Sequence, residues 1–369
     1  MNLSIAKEQL LAGLQSVQNI VSTRTTLPVL SNVLMRAEGD RLLLTATDLD
    51  VTISCGVAAT VKRAGSTTLP VKKLFTIARE LSASEIELET DEKNTTSVRA
   101  GASFFKIRGL GPEEFPAMPK FQEDRKVELA QDRLRTMLKR TSFATSSDES
   151  RYVLNGIFFS LKEQKLTLVA TDGRRLAMAE EEADVGEHSY GDFIVPSKAV
   201  NELGRLLQEQ GQVVLFIGDN QACFTLKDDK GASTTIITKL IEGNYPNYRQ
   251  VIPGEAKERV ALGREDLLHA LRRAEIMTSE KQNSVKLAFT KNNLAISANS
   301  PDIGEAQESM AINYKGRDIS IAFNPGYLID PLNALSNDEV FLDLIDELSP
   351  GVLKINGPFL YVVMPMRLS

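Results

Sequence analysis

The sequence predicts an α+β protein built from three copies of one unit, each copy about 125 residues long. The first observation behind this prediction is a short motif that returns at a constant spacing after an apolar run. The second is a series of prolines that open helical segments at the same spacing, with an aromatic-proline pair near the end of the first two units. In chain order these markers are Ala46-Thr47-Asp48, Pro70, Phe115-Pro116, Ala170-Thr171-Asp172, Pro196, Tyr245-Pro246, Ala298-Asn299-Ser300 and Pro325.

Because several kinds of marker keep one spacing, we interpret them as internal repeats. The repeats divide the chain into three predicted domains, 1–125, 126–253 and 254–369.

Each unit is predicted to contain two amphipathic helices. In residues 131–140, Leu134, Met137 and Leu138 form an apolar stripe at helical spacing, and lysine and arginine cover the opposite side. Three further segments share this layout, and the first and last helices are less basic. The predicted helical segments are 7–21, 70–81, 131–140, 197–207, 264–274 and the segment after Asn324-Pro325.

Short alternating segments between the helices indicate strands, and Asp219-Asn220 and residues 228–231 are typical of hairpin turns. This mixture favours antiparallel sheet over βαβ units. The clearest predicted strands are Val98–Ala100, Phe104–Ile107, Val213–Ile217, Cys223–Leu226, Thr234–Thr238 and Ile319–Phe323.

Composition narrows the class of protein. The 369 residues are 42% hydrophobic and carry a formal net charge of −6, which fits a folded globular chain and argues mildly against nucleic acid as a partner. Two cysteines, Cys55 and Cys223, and two histidines make a His/Cys metal site improbable and favour a reducing compartment. No uncharged apolar run is long enough to span a bilayer, and the N-terminal residues lack the pattern of a signal peptide. We therefore expect a cytoplasmic protein without membrane contact.

No enzyme signature is found. Phosphate-loop, dinucleotide-binding and nucleophile-elbow motifs are missing from the sequence. His188, in a polar loop, and His269, on a polar helix face, are expected to be solvent-exposed. Asp48 and Asp172 occupy equivalent positions after strands. They could form a carboxylate pair, but repetition of one position is more typical of a hydrogen bond at a strand end. We predict no catalytic residues, no metal site and no cofactor.

Asp343 and Asp346 are expected to decorate a strand and a turn near the C-terminus.

The basic helix faces allow two interpretations. One such face is usually only solvated, but several repeat-related faces in an acidic chain concentrate positive charge on one layer of helices. If the repeats form a ring, these faces would make a surface suited to phosphates without base readout.

The C-terminal segment 361–368 also allows two interpretations. Its two methionines around Pro365 could complete the core beside a final strand, or form an adaptable surface for several partners. Its chemistry alone does not decide between them.

In combination these motifs resemble the bacterial DNA polymerase III β-subunit family of sliding clamps, over the whole chain. The resemblance implies three domains of one topology and a head-to-tail homodimer closed into a ring, with helices lining the hole and sheets outside. It implies no catalysis. The motifs that carry it are the three repeats, Thr26-Leu27-Pro28, Arg151-Tyr152, Leu154-Asn155-Gly156, Ala170-Thr171-Asp172-Gly173, Arg175-Leu176 and residues 361–368.

The resemblance also implies partners. The ring would encircle duplex DNA without sequence preference and tether the α subunit of the replicative polymerase. The clamp loader and other proteins with a clamp-binding motif would use the same site.

For DNA contact, the resemblance implicates Arg24 and Tyr152, and Lys72 at a position where relatives carry arginine. Lysine keeps the charge there but loses the guanidinium fork. Lys198 and Arg205, on the polar face of segment 197–207, are expected to meet phosphates if the ring forms. Asp148 and Val153 stand where some relatives carry polar or aromatic contacts.

The resemblance places a partner-peptide pocket at the junction of the second and third units. Arg174 stands where histidine is common, which implies a more cationic rim. The implied pocket residues are Leu154, Thr171, Gly173, Arg174, Arg175, Leu176, Pro246, Val251, Val362, Val363, Met364, Pro365, Met366 and Arg367.

At the subunit seam, Phe105 and Ile107 of one subunit are expected to meet Ile276 and Met277 of the other.

Two alternatives come from other classes: a metabolic enzyme or regulator on a repeated α+β fold, and a monomeric scaffold that binds only proteins. The mass in solution and retention on circular but not linear DNA distinguish all three.

Overall fold

The computed structural model of the chain describes residues 1–21, 27–118, 125–186, 190–228 and 233–367. Two helices occur in each predicted unit, as expected, and their ends differ from the predicted ones by a few residues at most. The helices are α1 (Lys7–Val17), α2 (Val71–Glu80), α3 (Gln131–Thr141), α4 (Ser197–Leu206), α5 (Arg264–Glu275) and α6 (Pro325–Ala334).

The six segments predicted as strands are all strands in the structure, and Ile319–Phe323 has the same bounds. The strands are β1 (Asn2–Ala6), β2 (Asn32–Glu38), β3 (Arg41–Thr47), β4 (Val51–Ala58), β5 (Thr60–Arg63), β6 (Gly65–Pro70), β7 (Glu85–Thr90), β8 (Thr95–Ala100), β9 (Ser103–Arg108), β10 (Lys126–Ala130), β11 (Gly156–Lys162), β12 (Lys165–Thr171), β13 (Arg175–Glu182), β14 (Gly191–Pro196), β15 (Gln212–Ile217), β16 (Gln221–Lys227), β17 (Ser233–Lys239), β18 (Glu258–Gly263), β19 (Val285–Thr290), β20 (Asn293–Ser300), β21 (Gly304–Ala311), β22 (Ile319–Phe323), β23 (Glu339–Leu344), β24 (Gly351–Lys354) and β25 (Phe359–Val363).

Local sequence explains these elements. In β7, Ile86 and Leu88 are buried while the glutamates between them are exposed, which is the period-two pattern of a half-buried strand. In α2, Leu74 and Ala78 are buried one turn apart, and Lys72 lies on the exposed side. The helix α6 begins with a proline, and the side chain of Asn324 accepts a hydrogen bond from the Gly326 amide as an N-cap.

The strands form four sheets in two compact units. The unit Met1–Arg135, Ala183–Tyr190 and Lys198–Leu240 holds a five-stranded sheet, β5-β1-β7-β8-β9, and an eight-stranded sheet, β10-β15-β16-β17-β4-β3-β2-β6. The remaining unit, Thr136–Glu182, Gly191–Ser197 and Ile241–Ser369, holds an eight-stranded sheet, β14-β11-β12-β13-β25-β24-β23-β18, and a four-stranded sheet, β21-β20-β19-β22. Every strand pairing among the described residues is antiparallel, as the predicted fold class requires.

Each eight-stranded sheet combines four strands from one repeat with four from the next. The joining pairs are β4 with β17 and β13 with β25. The two junctions are closed by the same backbone bond: the Lys239 amide donates to the Asp50 carbonyl at 2.9 Å, and the Met364 amide donates to the Arg174 carbonyl at 3.0 Å. Because the sheets are shared in this way, the two compact units do not coincide with the three repeats.

One carboxylate that the sequence left as surface decoration is buried. The Asp343 side chain is 4% exposed, and its two oxygens accept from the Arg259 guanidinium at 2.6 and 2.8 Å. Lys354 Nζ lies 2.9 Å from it on the other neighbouring strand. Burial opposes ionisation of Asp343, but the hydrogen bonds from Arg259 and Lys354 outweigh it and hold the pKa below its ordinary value. Asp346 is a turn residue, as expected.

We expect Asp343→Asn to lower the free energy of unfolding by about 1–3 kcal/mol at pH 7, because it leaves two cations without their carboxylate. Since the pKa of Asp343 is lowered on folding, its contribution is complete above the unfolded-state pKa, about 4, and is lost as the pH falls through the folded-state pKa. The difference between wild type and variant, measured as the urea midpoint by circular dichroism, should therefore shrink at pH 3. Asp40→Asn, at an exposed carboxylate, is the control and should change little. An equal difference at both pH values would contradict the charge argument.

Candidate partner groove, basic helices and sheet edges

The two repeated aspartates form identical turns. Asp172 Oδ1 accepts from the amides of Arg174 and Arg175 at 2.9 and 3.1 Å. Asp48 Oδ1 accepts from the amides of Asp50 and Val51 at 3.1 and 2.8 Å. The turn interpretation is confirmed, and these carboxylates are committed to their own backbones rather than to a shared catalytic pair.

The turn after β12 carries the buried guanidinium of Arg175, whose side chain is 11% exposed. Its Nε donates to Asp172 at 3.0 Å, Nη1 to Asp330 at 2.5 Å and Nη2 to the Phe143 carbonyl at 2.6 Å. The guanidinium carbon also lies 4.6 Å from the ring centre of Tyr327. Burial works against the charge, but Asp330, Tyr361 and Asp172 outweigh it and raise the pKa of Arg175.

An apolar cluster lies on the adjoining strands. Leu176 on β13 and Val362 on β25 are opposite each other, although the sequence separates them widely. Tyr245 stacks on Phe158 with ring centres 4.9 Å apart. Burial raises the pKa of Tyr245 well above its ordinary value, so the phenol stays neutral. The cluster consists of buried Val169, Leu176, Val352 and Val362, with half-buried Phe158, Met178, Tyr245, Tyr248, Ile252 and Leu360.

A groove of about 520 Å³ opens beside the C-terminal segment. Met364 is 44% exposed in it, and Met366 is bridged to β22 through its amide, which donates to the Ala322 carbonyl at 2.7 Å. The groove, called the partner groove below, is lined by Ser320, Ala322, Glu347, Leu348, Met364, Pro365, Met366 and Arg367.

The two interpretations of this segment thus divide by residue. Tyr361, Val362 and Val363 complete the core, while the two methionines form surface.

The other predicted pocket residues surround the same turn or lie near the cluster. Thr171 Oγ1 donates to the Arg175 carbonyl and accepts from the Gly173 amide. Gly173 has φ +86, a conformation that favours glycine, and a Cβ there would lie 2.9 Å from Arg151. Leu154 is buried, and Arg174 is exposed. Pro246 and Val251 are exposed beside the tyrosines and Ile252 that pack on the cluster.

Sequence reasoning missed several of these residues. Tyr245 was read only as the end of a unit, and Tyr248 and Ile252 were not singled out. Glu347 and Leu348 were also missed, although a large apolar residue in a polar loop was the available signal. Leu348 is 80% exposed, and its amide is held by the Asp346 carboxylate at 3.0 Å.

The predicted DNA-contacting residues differ in how their side chains are used. Lys72 and Tyr152 are exposed, whereas Arg24 lies outside the described residues. Lys198 is paired with Asp48. Arg205 donates to the carbonyls of Gln15 and Ser16 and to the Glu202 carboxylate. Its guanidinium therefore secures the C-terminal end of α1, a structural task that the sequence did not reveal.

Asp148 and Val153 flank Tyr152 in the chain. The Asp148 carboxylate accepts from the Ser150 amide at 3.0 Å as a helix cap, and Val153 and Tyr152 pack on the backbone of Gly243.

The predicted seam residues lie at two sheet edges. Phe105 is 40% exposed on β9, the edge of the five-stranded sheet. Ile107 on the same strand is already buried within its own unit. Ile276 is 69% exposed just after α5, and Met277 lies 3.9 Å from the Cβ position of Gly304, where the edge strand β21 begins.

Within the described residues no cluster of three or more His, Cys, Asp or Glu side chains could hold a metal ion. Both cysteines are buried, and burial raises the pKa of Cys223 to about 11, which makes it a poor nucleophile. His269 is exposed, as expected, and His188 lies outside the described residues. No helix in the described ranges is both long and apolar enough for a membrane span. A repeated α+β fold with an open apolar groove, basic helix faces and exposed sheet edges defines a binding protein rather than an enzyme.

Comparison with protein-family models gives three matches. Residues 1–119 match the N-terminal domain of the DNA polymerase III beta subunit, residues 128–247 its central domain and residues 249–367 its C-terminal domain. The chain belongs to the DNA polymerase III beta subunit family, the sliding clamps. The residue boundaries predicted from the repeats remain a prediction.

Individual relatives agree with this assignment. The chain is 36% identical over 368 residues to the beta sliding clamp of Chlamydia trachomatis, covering 100% of this chain and 87% of the relative. It is 36% identical to the beta sliding clamp of Pseudomonas aeruginosa, covering 100% of both chains. A crystal structure of the sliding clamp from P. aeruginosa bound to griselimycin matches with a TM-score of 0.94 at 35% identity, again over 100% of both chains.

Proposed function

We propose how this chain performs the function of a sliding clamp: two copies close head to tail into a ring around duplex DNA, and the partner groove holds the polymerase to it. The chain has no catalytic role of its own, and processivity comes from the tether. One observation carries the proposal. A strand junction that occurs twice within the chain leaves one unpaired copy of each of its two strands.

The correspondence between strands follows from their registers. Ile53 on β4, Ala177 on β13 and Ala306 on β21 each lie opposite the alanine of the repeated motif. Phe105 on β9, Ile236 on β17 and Tyr361 on β25 likewise each lie opposite a corresponding residue of the preceding strand, Val98, Phe224 and Leu353 respectively. The strands β21 and β9 are therefore the third members of the two sets.

The two internal junctions share one register. Ile53 lies opposite Ile236, and Ala177 lies opposite Tyr361. Applied to the third pair, this register sets Phe105 opposite Ala306 of the partner subunit. The next pair would then be Lys106 and Glu305, which carry opposite charges.

Packing supports the same arrangement. In the second junction Tyr361 contacts Phe143, with ring centres 5.7 Å apart. Phe143 and Ile276 stand at the same distance from the first residues of α3 and α5, so the corresponding seam contact is Phe105 with Ile276. Ile236 and Tyr361 are fully buried, whereas Phe105 is 40% exposed. A partner subunit supplies the missing cover, and the head-to-tail pairing of unlike edges closes when the ring is complete.

DNA would be held by charge rather than by base contacts. The basic helix faces meet phosphates, which gives binding without sequence preference and with strong dependence on salt. Lys72 is an exposed lysine on α2. Lys198 and Arg205 can contribute only by leaving or sharing their present partners.

Replacing Lys72 with alanine should flatten the plot of log affinity against log salt concentration by about 0.9, the loss of one phosphate contact. Arg205→Ala should change this slope less and the thermal midpoint more, because its guanidinium secures α1. Fluorescence anisotropy with duplexes of two unrelated sequences measures the slope. A loss at Lys72 that depends on the sequence of the duplex would contradict phosphate contact.

The partner groove and the apolar cluster would accept short linear peptides. The polymerase α subunit, the clamp loader and other clamp-binding proteins would then compete through an apolar or aromatic anchor side chain. Two of the matched structures, from P. aeruginosa and Bartonella birtlesii, are sliding clamps bound to griselimycin. We place this work in the cytoplasm, together with the replication machinery.

Retention on DNA of defined topology tests the proposed function. After loading by the clamp loader, the protein should stay on a nicked circular plasmid through gel filtration and leave when a restriction enzyme linearises it. A mutant of the seam should not be retained on either form. Equal retention on circular and linear DNA would exclude an encircling ring.

A further inference from the structure

The Arg175 guanidinium is enclosed by groups from three separate parts of the chain. Its donors face Asp172 in its own turn, the Phe143 carbonyl after α3 and Asp330 on α6. The rings of Tyr327 and Phe143 lie 4.6 and 5.6 Å from it. Because all three donor nitrogens are occupied and the side chain is 11% exposed, little of this group is available to a bound peptide.

The shape of the turn does not require this arginine. The corresponding turn of the first repeat has Val51 in place of Arg175, yet its aspartate makes the same two backbone bonds. Leu49 there has φ +79, close to the +86 of Gly173. The arginine therefore adds an attachment of the finished turn to its surroundings. The first-repeat turn is attached differently, by the Asp48–Lys198 pair.

The attachment extends to the partner groove. The Arg174 carbonyl accepts from the Met364 amide at 3.0 Å, so the position of the turn sets the position of the first groove methionine. Leu176, the residue after the arginine, belongs to the apolar cluster.

We infer that Arg175 and Asp330 are positioning residues of the partner groove: they do not touch the peptide, but they fix the turn at Asp172–Arg174 and through it Met364. This inference rests on the proposed use of the groove for partner peptides. It assigns Arg175 a task different from the direct contact that the resemblance implies, and it adds Asp330 on α6 to the site.

The variants Arg175→Lys and Asp330→Asn test the inference in the full-length dimer. Arg175→Lys keeps the charge and loses the fork, and Asp330→Asn keeps an acceptor and loses the charge. Each should weaken binding of a fluorescein-labelled peptide from the C-terminus of the polymerase α subunit by about tenfold, through faster dissociation. In the free protein, hydrogen–deuterium exchange should rise at the amides of residues 173–175 and at Met364.

Arg259→Lys is the matched control. Arg259 also forks onto an aspartate in the same unit, but its strand β18 lies three strands from β25. This variant should lower the thermal midpoint while leaving peptide affinity and exchange at Met364 unchanged.

Three outcomes would overturn the inference. In the first, Arg175→Lys weakens peptide binding without altering exchange in the free protein, which indicates direct contact. In the second, Asp330→Asn binds the peptide as wild type does. In the third, Arg259→Lys weakens binding as much as Arg175→Lys, which indicates a general loss of stability. Deleting the two groove methionines is the separate test of the site itself: if that deletion leaves binding intact, the proposed groove fails as well.

Discussion

Replacing Ile276 and Met277 together with alanine should convert the dimer to monomers at low micromolar concentration. In the proposed seam these side chains cover Phe105 and Ile107 of the partner subunit, so truncation leaves a cavity at each of two identical interfaces. A buried isoleucine or methionine truncated to alanine costs about 2–5 kcal/mol. A loss of about 4 kcal/mol at a seam raises its dissociation constant about a thousandfold. Sedimentation velocity measures the change directly.

Val251→Ala, at another exposed apolar residue away from the seam, is the control and should remain dimeric. The register offers a second check. Lys106→Glu should weaken the dimer by placing like charges opposite each other, and Glu305→Lys in the same chain should restore it. A dimer that is unaffected by the double alanine variant would mean that the seam lies elsewhere.

Deleting residues 364–369 should abolish peptide binding. The deletion removes Met364 and Met366 with Pro365 and Arg367, which together form half of the groove lining. A few such anchors usually carry most of the affinity of a peptide site, so we expect a loss of more than about a hundredfold. Titration of a fluorescent polymerase C-terminal peptide by anisotropy measures it.

The dimer and its retention on circular DNA should survive the deletion, because neither the proposed seam nor Lys72 involves these residues. Arg174→His is the mild comparison. Arg174 is exposed, so restoring the common histidine should shift preference among peptides by about 1 kcal/mol at most. Wild-type affinity in a deleted protein that remains dimeric would place the peptide site elsewhere.

The sequence by itself determined the repeats and the elements within them. The apolar stripe of 131–140 predicted α3, and the alternation in 319–323 predicted β22, because helix and strand periodicities are local properties of a chain. It also determined the family: the repeated motif, Arg175-Leu176 and the C-terminal segment together were specific enough, and the comparisons confirm the resemblance.

Only the tertiary structure decided which side chains are free to act. The sequence predicted that Lys72, Lys198 and Arg205 lie on polar helix faces, and only Lys72 and Lys198 keep that simple description. Arg205 is bound to carbonyls at the end of α1, which is remote in sequence. Periodicity identifies the side of a helix on which a residue lies, but not what another element places opposite it.

The same reason separates the groove from its sequence. Leu176 and Val362 meet because β13 and β25 pair across a junction of repeats, and no local pattern encodes that pairing. Asp343 was expected on the surface but is buried between two cations contributed by neighbouring strands. Long-range strand order is set by which edges remain to be covered once each repeat has folded. That condition depends on the whole chain, and at the unpaired edges β9 and β21 on a second copy of it.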